Sequence, residues 1–330
     1  MSASIKKISP ALLLIILIVS FFPLFVTSNP QNNLPIVAIA NYGPHSSLEE
    51  TIQGIKDGLA KLGKKEGQQI TFEISDVNFE HNLIMQMLTK LKASKPKVIV
   101  ALSTPVAQAA KNIFKDIPIV FAAITDPVEA GLITNPNHAN GNISGSSERQ
   151  NLQIFISFVK QLLPTAKRIG LLYATGEPND QTLVKMMKDA ANENNMEVVA
   201  VAIDQSRDIP LRMQMFKNKV DYIYVGTSGP IQPSLPVIIL EADRMRIPVF
   251  NADSDAVKKN QALASFGVTY YQVGINAAQI IYKILQGEKI ENVPPIYPSP
   301  SDHHGFISRK KAHSLGLSLP LNMNNVTIIE

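Results

Sequence analysis

No cysteine occurs in the 330 residues of this chain. This absence excludes disulfide bonds, thiolate metal sites, a cysteine nucleophile and a lipid-modified cysteine at the amino terminus. The chain also lacks a dense stripe of lysine and arginine with interleaved aromatic residues, and its net charge of +4 is small for this length. Nucleic acid is therefore not expected as a partner.

Motifs of common enzyme classes are also missing. The chain contains no G-x-S-x-G, no G-x-x-x-x-G-K-[ST] and no G-x-G-x-x-G pattern, so nothing marks a nucleophile elbow, a P-loop or a dinucleotide-binding turn. The histidines are scattered, and the adjacent pair His303 and His304 has no suitably spaced partner for a metal. We therefore expect no catalytic residue, no metal and no cofactor, and predict that the protein is not an enzyme.

A long apolar run occurs only near the amino terminus. A short basic region precedes the apolar residues 11–22, Pro23 interrupts the run, and residues 26–28 offer small side chains for cleavage. The run is shorter than the roughly 20 residues of a membrane-spanning helix, which favours a cleaved signal peptide over residues 1–28. An uncleaved amino-terminal membrane anchor is the alternative. Cleavage predicts a soluble periplasmic protein that is not a lipoprotein.

Two stretches of the remaining chain repeat one architectural pattern. Residues 35–126 and 168–255 each alternate short strands rich in Val and Ile with amphipathic helices. Strands that are apolar on nearly every residue are typical of parallel sheets buried on both faces, and their alternation with helices predicts βαβ units. The sequence therefore predicts an α/β fold with two Rossmann-like lobes. A cleft between two lobes can hold a small ligand.

Three polar or proline-rich segments are predicted to link the lobes. They lie near residues 142–146, 267–268 and 294–300. The predicted first lobe comprises residues 34–142 and 268–293, and the predicted second lobe comprises residues 146–267 and 296–330. Three crossings make a hinge that bends without unfolding either lobe.

Polar residues directly follow most of the predicted strands. Ligands of open parallel sheets bind beyond the carboxyl ends of the strands, so these positions are the candidate ligand-binding residues. In the first lobe they are Asn41, Tyr42, Ser103, Thr104, Pro105, Thr125 and Asp126. In the second lobe they are Glu177, Asn179, Thr227, Ser228, Asn251 and Asp253. Phe266 and Gly267, at the end of the predicted strand 262–267, are further candidates.

Some of these residues also have an ordinary structural explanation. Thr104 and Pro105 suit the N-cap and the first position of a helix. Asp126 precedes a proline, which is typical of a turn. Asp253 can cap the helix that follows it. For these positions the sequence leaves the structural and the ligand-binding interpretations open.

The two lobes differ in the groups they offer to a ligand. The helix amino terminus at residues 103–105 favours a carboxylate. A carboxylate on the opposite lobe, Asp253 or Glu177, could pair with an ammonium group. Tyr42 or Phe266 could stack on an apolar side chain. This asymmetry predicts a zwitterion held across the cleft.

Four segments together carry a resemblance to a known family. They are Ser-Thr-Pro-Val-Ala-Gln-Ala-Ala (103–110), Asp-Ile-Pro-Ile-Val-Phe-Ala-Ala-Ile-Thr-Asp-Pro (116–127), Gly-Asn-Ile-Ser-Gly (141–145) and Ala-Ser-Phe-Gly-Val-Thr-Tyr-Tyr (264–271). The chain resembles the ABC-transporter substrate-binding proteins of the tryptophan/tyrosine-binding type from about residue 34 to residue 317. Members of this family have a type I periplasmic-binding fold.

The resemblance implies a monomer that captures a small ligand and delivers it to an ABC permease in the inner membrane. The implied ligand is an aromatic amino acid, although departures at Asn41, Pro44 and residues 227–229 leave another amino acid or a small amide open. The implied ligand contacts are Ser103, Thr104, Thr125, Glu177, Asn179 and Asp253. The alternatives are a bilobed sensor that feeds a membrane signalling protein and, with less support, an enzyme on this scaffold.

Overall fold

The computed structural model describes residues 34–320 and 323–330. The predicted signal peptide, residues 1–28, lies outside the described residues. Within the described ranges we find no helix with the length and hydropathy needed to cross a bilayer.

Five strands form the first sheet, in the order β2-β1-β3-β4-β5, and all of its strand pairs are parallel. The strands are β1 (Ile36–Asn41), β2 (Thr71–Asp76), β3 (Val98–Leu102), β4 (Ile119–Ile124) and β5 (Ile143–Ser147). The central strands β1, β3 and β4 are buried on nearly every residue. This burial explains why their sequences are continuously apolar.

Seven strands form the second sheet, in the order β12-β11-β10-β9-β8-β6-β7. The strands are β6 (Arg168–Ala174), β7 (Glu197–Ile203), β8 (Tyr222–Val225), β9 (Val249–Asn251), β10 (Ala264–Val268), β11 (His303–Ser308) and β12 (Val326–Ile329). Only the pair of β10 and β11 is antiparallel among the described pairs of this sheet. The sheets confirm the predicted α/β class with mostly parallel strands.

Ten described α-helices cover the faces of the two sheets. They are α1 (Ser46–Lys61), α2 (Ile84–Ala93), α3 (Thr104–Ile113), α4 (Leu152–Leu162), α5 (Pro178–Glu193), α6 (Ile209–Met213), α7 (Leu235–Met245), α8 (Asp255–Lys258), α9 (Tyr270–Leu285) and α10 (Arg309–Ser314). Below, the first lobe means the first sheet with α1, α2, α3 and α9, and the second lobe means the second sheet with the other helices. Apolar side chains form one core around the first sheet and a core on each face of the second.

Helix α9 follows a strand of the second sheet but packs against α1 in the first lobe. Glycines make this close approach possible. A Cβ atom on Gly54 would lie 2.2 Å from the carbonyl oxygen of Tyr271, and one on Gly274 would lie 2.1 Å from that of Thr51. Any larger side chain at these positions would force the two helices apart.

The first crossing between the lobes differs from the prediction. The hinge is predicted near residues 142–146, but residues 143–147 form β5 at the edge of the first sheet. The chain therefore leaves the first sheet only after Ser147. Ser144 and Ser147 also hydrogen-bond to the 293–296 segment, through Ser144 Oγ to Val293 O at 2.7 Å and from Ser147 N to Ile296 O at 2.9 Å.

Candidate ligand-binding site

A narrow cavity lies between the carboxyl ends of the first-lobe strands and the loop after β8. Its walls include Tyr42, Phe79, Ser103, Glu148, Thr227 and Gln232. Its volume is only about 50 Å³, whereas pockets that hold a small-molecule ligand have volumes from about 300 Å³ upward. A ligand of amino-acid size must therefore separate the lobes to enter.

Glu148 is the buried carboxylate of this cavity, and only 4% of its surface is exposed. It follows β5 and accepts hydrogen bonds from Thr125 Oγ1 at 3.1 Å, Thr227 Oγ1 at 3.0 Å and the Tyr270 hydroxyl. Thr125 and Tyr270 belong to the first lobe and Thr227 to the second. Burial raises the pKa of Glu148, and the three hydrogen bonds oppose that shift. A positive charge at this position would favour the ionised carboxylate.

The two carboxylates predicted to meet a ligand ammonium instead contact the first lobe directly. The Tyr42 hydroxyl donates to Glu177 Oε1 at 2.8 Å. Ser46 Oγ and Ser47 Oγ donate to Asp253 Oδ2 at 3.0 and 2.5 Å. In this arrangement Glu177 and Asp253 join the lobes, and each carboxylate already accepts a hydrogen bond from the first lobe.

The backbone is strained at three positions in the cavity wall. Ser103 has φ 73° and ψ 157°, Ala123 has φ 55° and Phe79 has φ 65°. Such conformations cost a non-glycine residue about 1–3 kcal/mol and cluster at ligand sites. Ser103 is the N-cap residue of α3, so the prediction of Thr104 as N-cap was wrong by one position. The Ser103 hydroxyl has no hydrogen-bond partner in the described part of the chain.

The strain at Ser103 can be measured through stability. Ser103→Gly should raise the free energy of unfolding by about 1 kcal/mol, because glycine adopts positive φ without steric conflict. Ser103→Ala is the matched control, since it removes the hydroxyl but keeps the Cβ atom. Urea denaturation of both variants gives the comparison. Equal stability of the glycine and alanine variants would contradict the strain interpretation.

Two aromatic rings form one corner of the cavity. Tyr42 and Phe79 meet edge to face, with ring centroids 5.6 Å apart and planes at 86°. Gly229 in the loop after β8 lies against them, since a Cβ atom there would be 2.6 Å from Tyr42 Cε1. This corner could receive an apolar or aromatic group from a ligand.

Two of the predicted asparagines hydrogen-bond to neighbouring protein groups. Asn41 Nδ2 donates to Gly43 O at 2.9 Å, which shapes the turn after β1. Asn179 Nδ2 donates to Asp180 Oδ1 at 3.1 Å and approaches Thr227 O at 3.4 Å. Asn179 and Thr125 border a smaller adjoining cavity that shares Glu148 and Thr227 with the main one.

Five other residues predicted as ligand contacts lie away from the main cavity. Asp126 caps its own turn, accepting from Val128 N and Glu129 N, and forms an ion pair at 2.9 Å with Arg149. The Phe266 ring stacks on Phe158 with centroids 4.8 Å apart, so the expected stacking on a ligand has no support. Thr104 and Pro105 are buried in the first turn of α3. Gly267 contacts the Gln150 side chain beside a separate small cavity.

Several wall residues are not among the predicted contacts, including Glu148, Phe79 and Gln232. Glu148 follows β5, whose small polar residues give no strand signal. Phe79 follows β2, whose end contributes none of the predicted contacts. Gln232 lies in the 3₁₀ turn 232–234 and becomes part of the wall only through the folding of the preceding loop. The position of Phe79 just beyond the end of β2 is a signal in the sequence that could identify it.

Comparison with known families identifies this architecture. The family model for "ABC transporter substrate binding protein" matches residues 36–326. The tyrosine-binding protein of Clostridioides difficile (strain R20291) is 33% identical over 267 residues, which cover 81% of this chain and 76% of that protein.

Solved structures show the same fold. A Streptococcus pneumonia ABC domain in complex with L-Trp matches with a TM-score of 0.83 at 26% identity, covering 89% of this chain and 100% of that one. The ligand-free, open structure of a Clostridium difficile substrate-binding protein with adhesive properties matches with a TM-score of 0.70 at 30% identity. The match covers 90% of this chain and 99% of that one. The backbone is thus more similar to the ligand-bound relative than to the open one. The chain belongs to the family of ABC transporter substrate-binding proteins and has their type I periplasmic-binding fold.

Proposed function

We propose that this protein captures an aromatic L-amino acid between its lobes and delivers it to an ABC permease. The observation that carries the proposal is Glu148, a buried carboxylate in the cavity wall whose hydrogen-bond partners come from both lobes. Those partners are all hydroxyl groups, so a ligand ammonium would supply the positive charge that a buried carboxylate requires. The tyrosine-binding relative and the relative in complex with L-Trp support an aromatic ligand.

The other end of the amino acid would meet the first turn of α3. The Ser103 hydroxyl lines the cavity and lacks a partner among residues 34–320 and 323–330. The amino terminus of this 10-residue helix adds free N–H groups and a favourable field for a carboxylate. The corner of Tyr42 and Phe79 would hold the aromatic side chain. This arrangement keeps the zwitterion of the sequence prediction but moves its ammonium site to Glu148.

The lobes would open and close around the ligand. Tyr42 with Glu177, and Ser46 and Ser47 with Asp253, connect the lobes directly. These contacts favour the closed arrangement, in which a permease could recognise both lobes together. We further propose that residues 1–28 direct export to the periplasm, where the mature protein acts without catalytic turnover.

Calorimetric titration of the purified protein tests the proposal. L-Tyr or L-Trp should bind and should raise the melting temperature, because ligand at 100 times its Kd stabilises the folded state by about 2.7 kcal/mol. Tyramine, which lacks the carboxylate, and 3-(4-hydroxyphenyl)propanoate, which lacks the ammonium, are matched controls that should bind much more weakly. If no amino acid binds, the proposed function is wrong.

A further inference from the structure

Gln232 presents an acceptor to the cavity in a fixed orientation. The residue is 5% exposed and lines the cavity. Its Nε2 donates to Gly226 O at 2.7 Å and to Asn251 Oδ1 at 2.8 Å. Its Oε1 has no hydrogen-bond partner among the described residues.

Neighbouring carbonyl groups determine this orientation. Gly226 O belongs to the backbone and can only accept, so the amide nitrogen of Gln232 must face it. Asn251 is held in the same way, because its Nδ2 donates to the backbone carbonyl of Asp253 at 3.0 Å. Rotating either side-chain amide by 180° would place its oxygen against a carbonyl oxygen and replace a hydrogen bond with repulsion. Gln232 Oε1 therefore remains an acceptor, unlike the nearby serine hydroxyls, which can donate or accept.

We infer that Gln232 selects aromatic amino acids whose ring carries an O–H or N–H donor, as in tyrosine and tryptophan, over phenylalanine. The inference rests on the proposed function, which assigns the ligand ammonium to Glu148 and its carboxylate to the first turn of α3. The side chain is then the part of the ligand left to supply a donor to Gln232. A ligand without that donor would leave the buried oxygen unsatisfied, and such sites reject the analogue that lacks the group.

The position of Gln232 agrees with a side-chain contact. Gln232 N donates to Ser228 O at 2.9 Å and so closes the loop that contains Gly229. Gly229 lies against the ring of Tyr42. The loop thus connects Gln232 to the aromatic corner formed by Tyr42 and Phe79, where the ligand ring would lie.

A ligand series of constant shape tests the inference on the wild-type protein. Tyrosine and 4-aminophenylalanine carry a donor on the ring, whereas phenylalanine and 4-fluorophenylalanine do not. Calorimetry should show that tyrosine and 4-aminophenylalanine bind at least about tenfold more tightly than phenylalanine and 4-fluorophenylalanine. Equal affinity for all four would overturn the inference but leave the proposed function intact. Binding of none of the four would instead refute the proposed function.

Substitution of Gln232 then locates the effect. Gln232→Met keeps a similar length without the acceptor, so tyrosine should lose about tenfold or more in affinity while phenylalanine changes little. Gln214→Met is the matched control, because Gln214 is exposed and donates to Glu241 Oε2 at 2.9 Å on the outside of the second lobe. An equal loss for tyrosine and phenylalanine in Gln232→Met would overturn the inference. If Gln232→Met does not fold, the wild-type ligand series decides alone.

Discussion

Replacing Glu148 with glutamine is expected to weaken amino-acid binding by about two to three orders of magnitude. Removing one partner of a buried, hydrogen-bonded charge pair costs roughly 2–5 kcal/mol. Glutamine retains an acceptor for the hydroxyl donors but carries no charge for the ligand ammonium. Because the carboxylate is buried and its pKa is raised, the neutral variant should be at least as stable as the wild type without ligand. Calorimetric titration and thermal melting measure the two effects separately.

Glu177→Gln is the matched control for this prediction. Glu177 is also buried, but its hydrogen bond joins it to Tyr42 across the lobes. Its substitution should lower affinity by less than about tenfold, the effect of one lost hydrogen bond. A larger loss in Glu177→Gln than in Glu148→Gln would return the ammonium site to Glu177, as the sequence first indicated.

The same site should couple ligand binding to a proton. Burial raises the pKa of Glu148 in the ligand-free protein, and a bound ammonium favours the ionised form. Binding should therefore release a proton, and affinity should rise with pH while the ligand-free carboxyl is still protonated. Titration in two buffers of different ionisation enthalpy counts the protons released. Glu148→Gln should abolish this release.

The second large effect concerns the pH dependence of stability. Asp180, near the start of α5, is 2% exposed, and burial raises its pKa to about 7 even though Ala174 N donates to it at 2.6 Å. At a pH between the usual pKa of an aspartate and about 7, the Asp180 carboxyl is ionised in the unfolded chain but still protonated in the folded protein. The free energy of unfolding should therefore fall as pH rises, by up to about 4 kcal/mol in total. Asp180→Asn should remove this part of the pH dependence.

Urea denaturation of both proteins from pH 4 to pH 8 measures the difference. At acid pH, Asp180→Asn should lower the free energy of unfolding by about 1 kcal/mol, because Asn179 would lose its acceptor. At neutral pH, Asp180→Asn should be more stable than the wild type. Asp221→Asn is a control of opposite sign. Burial raises the pKa of Asp221, but hydrogen bonds from Arg168 and Lys167 outweigh it and hold the pKa below its usual value. Parallel pH curves for wild type and Asp180→Asn would contradict the prediction.

Most regular elements could be predicted from local patterns. Apolar residues recur at spacings of three and four between Ser47 and Leu62, which predicts a helix over these residues. This prediction agrees with α1 to within one residue at each end. The central strands also agree, because continuous apolar segments fit a sheet covered on both faces. Strand β5 was missed because its Ile-Ser-Gly-Ser-Ser sequence carries no apolar signal. A Cβ atom on Gly145 would lie 2.1 Å from Phe121 O, so close packing requires this small residue.

The candidate site was predictable only as a region. The rule that ligands bind beyond strand ends led to Tyr42, Ser103 and Thr227, which all line the cavity. It did not distinguish among the acidic residues. Glu148 stands in a polar segment that resembles an exposed loop, and its partners Thr125, Thr227 and Tyr270 are separated from it by 23, 79 and 122 residues.

The sequence by itself determined the α/β class, the duplicated units and the edge of the sheets where a ligand would bind. These features follow from the spacing of apolar and polar residues along short stretches of chain, which local burial dictates. Only the tertiary structure decided which carboxylate faces the cavity and which ones join the lobes. That choice depends on contacts between residues far apart in sequence: Asp253 has donors from Ser46 and Ser47, Glu177 has Tyr42, and Glu148 has three hydroxyls and no cation partner in the described ranges.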